Sequence, residues 1–358
     1  MSDWKTEWRF IADRVSHYIR TDDFPDRIRP DFLRDAVRAY PCAGGKRLRP
    51  VLLMWSCGLF GGEPDQALPA AAAVEIYHNW TLVHDDIIDC DDLRRGNPTT
   101  HASLRELAAT RYKTGPDAGA KFGTDFAILA GDLQQAWAVD ALLRLKDKGV
   151  PDNVVLFLAQ RMQRDLAREL ISGEAVDVEF GTRGGLNVSE EEVREMIAGK
   201  TGAILRYCVR AGAFIAKKTP YFKEPELELI TEFAGALGLA FQLQDDFLGI
   251  FGNVQKFGKP IGSDFQEAKP TLLFLAALRN ADPVKKSRLL ALTGLPEYSP
   301  ESITEIRDIL TETGAADQLR EEIARCSDRA ERLLEKLPDN PYRSYLGELT
   351  EELVNRDV

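Results

Sequence analysis

The chain has 358 residues, of which 44% are hydrophobic and 29% charged, and its formal net charge is −11. That composition supports a large core and excludes a disordered chain, while the acidic balance excludes general nucleic-acid binding and fits poorly with a surface that seeks anionic lipid. Five cysteines without CxxC spacing exclude a zinc ribbon or a disulfide framework.

The first residues, Met1-Ser2-Asp3-Trp4-Lys5, lack a basic-then-apolar leader pattern, and no uncharged apolar run reaches the roughly eighteen residues of a transmembrane segment. A reduced, cytoplasmic protein is expected. Strand signals are almost absent, whereas apolar residues recur at three-and-four spacing throughout, which predicts an all-α chain. Trp4 to Arg20 reads as a first amphipathic helix, separated by Pro25 and Pro30 from a second over Asp31 to Tyr40. Pro41 to Gly45 reads as a turn, Lys46 to Phe60 as a helix ended by Gly61-Gly62-Glu63-Pro64, and Pro69 to about Asp89 as a long apolar helix. Residues from Leu104 to Phe122 look less regular, with an exposed excursion over Lys113 to Gly119. Gly123 to Lys148 and Pro151 to Phe180 are helical again. A loop over Gly181 to Asn187 precedes Ser189, an N-cap followed by three glutamates, whose helix runs toward Lys218. Glu224 to Phe251 is a further long helix, and three or four shorter ones close the chain. No low-complexity tract or linker divides it, so residues 1–358 are expected to form one domain.

The stretch Asp85-Asp86-Ile87-Ile88-Asp89-Cys90-Asp91-Asp92-Leu93-Arg94-Arg95-Gly96 carries the strongest chemistry. Five carboxylates fall within eight residues, after an apolar helix and before two arginines. Clustered acids repel one another unless a cation joins them, and hard divalent ions such as Mg²⁺ take oxygen ligands. Arginine forks fit phosphate, so acids beside arginines suggest a metal–diphosphate site. On a helix Asp85 and Asp89 share a face, with Asp86 about 100° round. A solvated acidic helix end is the plainer alternative. A second pair, Asp245-Asp246, lies within an apolar helical run, where an unpaired acid is costly; it is either a satisfied structural pair or the other half of a metal site. Gly44-Gly45-Lys46-Arg47-Leu48-Arg49-Pro50 places three cations behind a glycine turn at a helix start, a setting that suits an anion but is also compatible with ordinary surface charge. Glu75-x-x-His78 has the spacing of helical di-iron sites, but those need a second copy, and with His17, His78, His84 and His101 the only histidines none exists.

In order along the chain these stretches resemble the trans-isoprenyl diphosphate synthases, the polyprenyl synthetases, of the short-chain farnesyl or geranylgeranyl type. The resemblance rests on Gly44-Gly45-Lys46-Arg47-x-Arg49-Pro50, on Glu75-x-x-His78 with Asp85-Asp86-x-x-Asp89 and Arg94-Arg95-Gly96, and on Leu129-Ala130-Gly131-Asp132. It continues through Lys200-Thr201, Phe241-Gln242-x-x-Asp245-Asp246, Gly258-Lys259-Pro260-x-Gly262-Ser263-Asp264 and Lys269-x-Thr271. Two departures concern the site. Gly249 stands where many members carry a third aspartate, and Glu174 stands in Gly173-Glu174-x-x-Asp177 where glutamine is usual.

The resemblance implies a single large helical bundle of the isoprenoid synthase type with a central cavity, a homodimer, and head-to-tail condensation of isopentenyl diphosphate with an allylic diphosphate. Several Mg²⁺ ions would be held by Asp85, Asp86, Asp89, Asp245 and, less directly, Asp246. Arg94, Lys200, Lys259 and Lys269 would meet diphosphate; Gly45, Lys46, Arg49, His78 and Arg95 would hold isopentenyl diphosphate; Thr201 and Gln242 would face the carbocation. Trp80, with Tyr77 and Thr81, would set a floor to the growing chain, pointing to a twenty-carbon more than a fifteen-carbon product. Bare geometry does not select Trp80, which lies about 140° round the helix from Asp85. A class I terpene cyclase and a non-catalytic partner subunit are the competing readings.

Overall fold

The computed structural model describes residues 4–94, 96–183, 187–252, 262–295 and 297–354. The described chain is helical apart from its turns and one two-residue hairpin, in which Leu93-Arg94 pairs with Asn97-Pro98. It divides into two compact units, Met1–Arg161 with Cys208–Lys223, and Met162–Tyr207 with Glu224–Val358.

The first unit contains α1 (Trp4–Thr21), α2 (Asp31–Cys42), α3 (Leu48–Leu59), α4 (Leu68–Ile88), α5 (Thr100–Tyr112), α6 (Pro116–Leu143) and α7 (Asp152–Arg161). Helix α4 is its centre. It packs against α1, α2, α3, α5 and α6, and from Leu68 to Tyr77 every side chain is buried. A helix that is apolar on all sides is stable only when surrounded, and small residues such as Ala70 to Ala73 let neighbours approach from every direction.

The second unit contains α8 (Ala167–Arg183), α9 (Glu190–Ile197), α11 (Pro225–Phe251), α12 (Ser263–Gln266), α13 (Leu272–Asn280), α14 (Pro283–Ala291), α15 (Pro300–Glu312), α16 (Ala315–Leu334) and α17 (Pro341–Val354). Helix α10 (Ala203–Lys217) contributes residues to both units. Helix α11 packs along α16, and Leu243, Phe247, Leu273, Phe274, Ile306 and Leu319 form part of the core. Two π turns, Met162–Leu166 and Ala198–Gly202, interrupt otherwise continuous helix.

Most expected elements are present. Ser189 caps α9 with the reciprocal bond from Glu192, a full capping box. Four expectations need correction. The supposedly irregular stretch from Leu104 to Phe122 is helix on both sides of a short turn: Lys113 ends α5 in the left-handed conformation, and Pro116 opens α6 at a position where a missing N–H costs nothing. Pro41 lies inside α2 rather than in a turn, because it falls one residue from the helix end. Helix α3 starts at Leu48 rather than Lys46, since Gly44, Gly45 and Arg47 all have positive φ. Among the described residues after Gly252 there are five helices and the short α12, more than the three or four expected. None of the described helices is long and apolar enough to cross a membrane.

Candidate active site

The first acid cluster sits at the C-terminal end of α4. Asp86 is fully buried, and it is held from two directions. The Tyr40 hydroxyl of α2 donates to its Oδ2 at 2.5 Å, and Arg94 Nε donates to its Oδ1 at 2.6 Å. Arg94 Nη2 also donates to Asp85 Oδ2 at 3.0 Å, so one guanidinium spans both acids. Burial, and then the bond to Asp86, pushes the Tyr40 phenol well above its ordinary range. Burial works against the Arg94 charge, but Asp86 and Asp85 outweigh it and hold the guanidinium more firmly protonated than usual. Downstream, Thr99 Oγ1 donates to the Asp91 carbonyl at 2.7 Å, and Arg105 Nη2 lies 2.9 Å from Asp92 Oδ2. Arg105 lowers the Asp92 carboxyl and ties it to α5. Asp92 is thus a structural acid, Asp91 lies beyond the end of α4, and Asp85, Asp86 and Asp89 stand at that end. Arg95 lies outside the described residues.

The glycine turn reaches α4 through Arg47. This residue is 2% exposed and adopts φ 52°, ψ 36°. Its guanidinium donates to Glu75 Oε1 at 2.7 Å, to the Pro41 carbonyl at 2.8 Å and to Ser16 Oγ at 3.1 Å. Of the three clustered cations, then, Arg47 faces inward, whereas Lys46 is exposed and Arg49 half-buried. The Lys46 carbonyl accepts a bond from Trp8 Nε1, which pins the turn to α1. Gly45 precedes these at φ 144°. His78 is half-buried one helical turn after Glu75.

Farther along α4, Tyr77, Trp80 and His84 form a row of edge-to-face rings, with centroids 4.8 and 5.9 Å apart. Thr81 Oγ1 donates to the His78 carbonyl at 2.8 Å. The row packs toward α6 at Gly131, where a Cβ would lie 2.3 Å from His84 Nε2. Gly131 is therefore required by the close approach of a ring.

In the second unit, Thr201 Oγ1 donates to Gln242 Oε1 at 3.0 Å, and Gln242 Nε2 donates to Asp246 Oδ1 at 2.9 Å. Burial, then the nearby Asp264 carboxylate, raises the Asp246 carboxyl far above the usual range. Two like charges so close require a cation or a proton. Gly249, the position of the missing third aspartate, lies beside the same acid: a Cβ there would sit 3.4 Å from Asp264 Oδ2. Asp245 is half-buried next to this group. Lys269 Nζ is 2.6 Å from Glu267 Oε2, and its backbone N–H donates to the Asp264 carbonyl at 2.8 Å. Lys200 Nζ lies 2.7 Å from Asp177 Oδ2 and 2.9 Å from Glu174 Oε2. Lys259 lies outside the described residues.

Each unit thus gathers its own part of the expected set. Asp85, Asp86 and Arg94 meet in the first; Lys200, Thr201, Gln242 and Asp246 adjoin in the second. Tyr40 and the partners Glu174 and Asp177 complete these groups but were not among the expected site residues. Nothing in the sequence marks Tyr40, 46 residues from its partner; Asp177 and Glu174 were legible only as part of a motif. Among the described residues, no three histidine, cysteine or carboxylate side chains converge tightly enough to enclose a metal ion. The donor chemistry nevertheless fits Mg²⁺: the candidates are all carboxylate oxygens, and the half-buried Asp85 and Asp89 recur at helical spacing at the end of α4.

These groups match a known pattern. Residues 30–312 match the model of the polyprenyl synthetase family. The short chain isoprenyl diphosphate synthase of Methanocaldococcus jannaschii is 39% identical over 78% of this chain and 76% of its own length. The geranylgeranyl diphosphate synthase of Saccharolobus solfataricus is 39% identical over 75% and 73%. A solved geranylgeranyl pyrophosphate synthase of Corynebacterium glutamicum, complexed with isoprenyl diphosphate and magnesium, superimposes with a TM-score of 0.85 at 28% identity, covering 99% of this chain and 100% of that one. The all-helical architecture is accordingly the isoprenoid synthase fold, and with a match spanning both acid clusters and the helices that carry them, the chain belongs to the polyprenyl synthetase family.

Proposed function

We propose that this chain is a Mg²⁺-dependent trans-prenyltransferase that joins isopentenyl diphosphate head-to-tail to an allylic diphosphate, giving an all-trans product of twenty carbons. The observation that carries this reading is the arrangement on α4. One helix bears the acids Asp85, Asp86 and Asp89 at its end and, through Glu75 and Arg47, anchors the turn that presents Lys46 and Arg49. The acids read as metal ligands and the turn that precedes Arg49 are thereby tied to one helix.

In this reading Asp85, Asp86, Asp89 and Asp245, with Asp246 less directly, hold the Mg²⁺ ions that accompany the allylic diphosphate. Bound there, the ions would supply positive charge where negative charge develops on the leaving diphosphate oxygens. Arg94, Lys200, Lys259 and Lys269 add hydrogen-bonding charge to the same group. Tyr40, which donates to the other oxygen of Asp86, keeps that acid oriented where Arg94 holds it. Gly45, Lys46, Arg49, His78 and Arg95 hold isopentenyl diphosphate with its double bond near the allylic carbon. Thr201 and Gln242 turn dipoles toward the carbocation, and their mutual bond fixes that orientation. The released diphosphate accepts the proton that completes the new double bond. Trp80, packed edge-on against Tyr77, limits growth. Membership of the family supports a cytoplasmic homodimer.

The test is a product assay with purified protein, Mg²⁺, isopentenyl diphosphate and each allylic primer in turn. Elongated prenyl diphosphates are expected, the twenty-carbon one predominating. Folded protein that turns over no primer is a partner subunit, and products formed without isopentenyl diphosphate identify a cyclase; either result overturns the proposal.

A further inference from the structure

Lys200 starts from a backbone that is pressed against α8. A Cβ on Gly173 would lie 2.4 Å from Lys200 N, and one on Gly199 would lie 2.9 Å from the Glu169 carbonyl. Two glycines thus allow the π turn and α8 to touch, and they fix where the lysine side chain begins. From there Lys200 reaches back to α8, where Glu174 and Asp177 stand three residues apart on one face. The three side chains are 26%, 18% and 11% exposed, so water screens them only in part. One ammonium between two carboxylates leaves a negative charge in surplus within the trio. Asp177 alone would balance Lys200. The second acid is Glu174, at the position where glutamine is usual in the family.

We propose that Glu174 is a positioning residue that restrains Lys200, weakening its hold on the allylic diphosphate and on the inorganic diphosphate left after transfer. The proposal rests on the reading that Lys200 contacts that diphosphate. To reach it, the ammonium must leave a carboxylate that a glutamine would replace with a neutral amide. Glutamine has the same length and keeps an acceptor oxygen, so only the charge differs. A second carboxylate beside Lys200 also repels an incoming diphosphate, which carries charge of the same sign. Both effects act on affinity for the diphosphate and neither acts on isopentenyl diphosphate.

The experiment is calorimetric titration of inorganic diphosphate, with MgCl₂ at low ionic strength, into the unaltered enzyme and into Glu174→Gln, Glu174→Asp and Lys200→Ala. Steady-state KM values for both substrates are measured alongside. Glu174→Gln is expected to bind diphosphate about five-fold more tightly, the size of a partly screened ion pair, and to lower KM for the allylic substrate by a similar factor with KM for isopentenyl diphosphate unchanged. Glu174→Asp keeps the charge and is expected to stay near the unaltered affinity, which separates charge from packing. Lys200→Ala is expected to bind diphosphate more weakly. If Lys200→Ala weakens binding while Glu174→Gln leaves it unchanged or weaker, the restraint is overturned and the reading of Lys200 stands. If Lys200→Ala has no effect on diphosphate, that reading fails and the restraint fails with it.

Discussion

The Arg47 guanidinium and the Glu75 carboxylate form an ion pair at 2.7 Å, with side chains 0% and 9% exposed. The pair joins the glycine turn to the helix that carries the first acid cluster. Removing one partner from a buried pair strands the other charge, at a cost of about 3–5 kcal/mol. Glu75→Gln is therefore expected to lower the urea midpoint by a large fraction of total stability. Replacing both partners, Arg47→Met with Glu75→Leu, is expected to recover much of that loss, since no stranded charge remains. The double variant still loses the anchor of the turn, so its KM for isopentenyl diphosphate is expected to rise more than its stability falls. A double variant with unchanged KM would show that the turn holds its shape without the pair.

Gly131 meets the His84 ring at a distance that leaves no room for a methyl group. His84 is also placed by a contact of 3.3 Å between its Nε2 and the Ile128 carbonyl, so the ring does not move aside freely. Gly131→Ala is expected to destabilise the protein by about 1–3 kcal/mol, the usual cost of overpacking. In a His84→Ala background the same substitution is expected to cost far less. Thermal denaturation of the four proteins in the cycle measures the coupling, and additive effects would place the clash elsewhere.

Trp80 is wedged between Tyr77 and His84 and is nearly buried. Trp80→Ala opens a cavity beneath the acid cluster and is expected to lengthen the product beyond that of the unaltered enzyme, at a stability cost of about 3–5 kcal/mol. Chromatography of dephosphorylated products reads the chain length. The same product from both proteins would remove Trp80 from the role of a floor.

Cys90 is exposed between Asp89 and Asp91, at φ 57°. Cys57 is buried, and burial pushes its thiol up to about 12; Cys208 is driven upward by the same cause. A thiol reagent is expected to modify Cys90 in the native protein and to reach Cys57 and Cys208 only on unfolding. Mg²⁺ with inorganic diphosphate is expected to slow labelling of Cys90 severalfold, because a metal on Asp89 closes over its neighbour. Mass spectrometry of the labelled peptide after timed quenching follows the rate, and an unchanged rate would take Asp89 out of the metal set.

The long helices were legible because their apolar spacing is dictated by burial, and α4 was the plainest of them. The acid clusters were legible because carboxylates on an apolar helix have few purposes. The division of labour within Lys46, Arg47 and Arg49 was not. Three adjacent cations look alike until the backbone turns, and the partner that draws Arg47 inward is 28 residues away. Tyr40 was hidden for the same reason. The stretch around Lys113 misled in the opposite sense: glycine and proline there read as an extended loop, yet Pro116 serves as the first residue of α6. Local composition shows where a helix breaks but not how quickly the next begins.

The π turn at Ala198–Gly202 gives Lys200 and Thr201 a different sensitivity from the rest of the chain. A π turn winds one more residue per hydrogen-bonded ring than an α-turn. Loss of a single residue there would let the turn close to regular α with the helix on either side keeping nearly the same facing, because the π turn spends about one extra residue on the same rotation. What would go is the widened turn itself, which carries Gly199 against α8 and Thr201 to Gln242. Substitution at these positions changes one contact, whereas loss of one residue would remove the turn that makes all of them, so along this segment the spacing constrains variation more tightly than the side chains do.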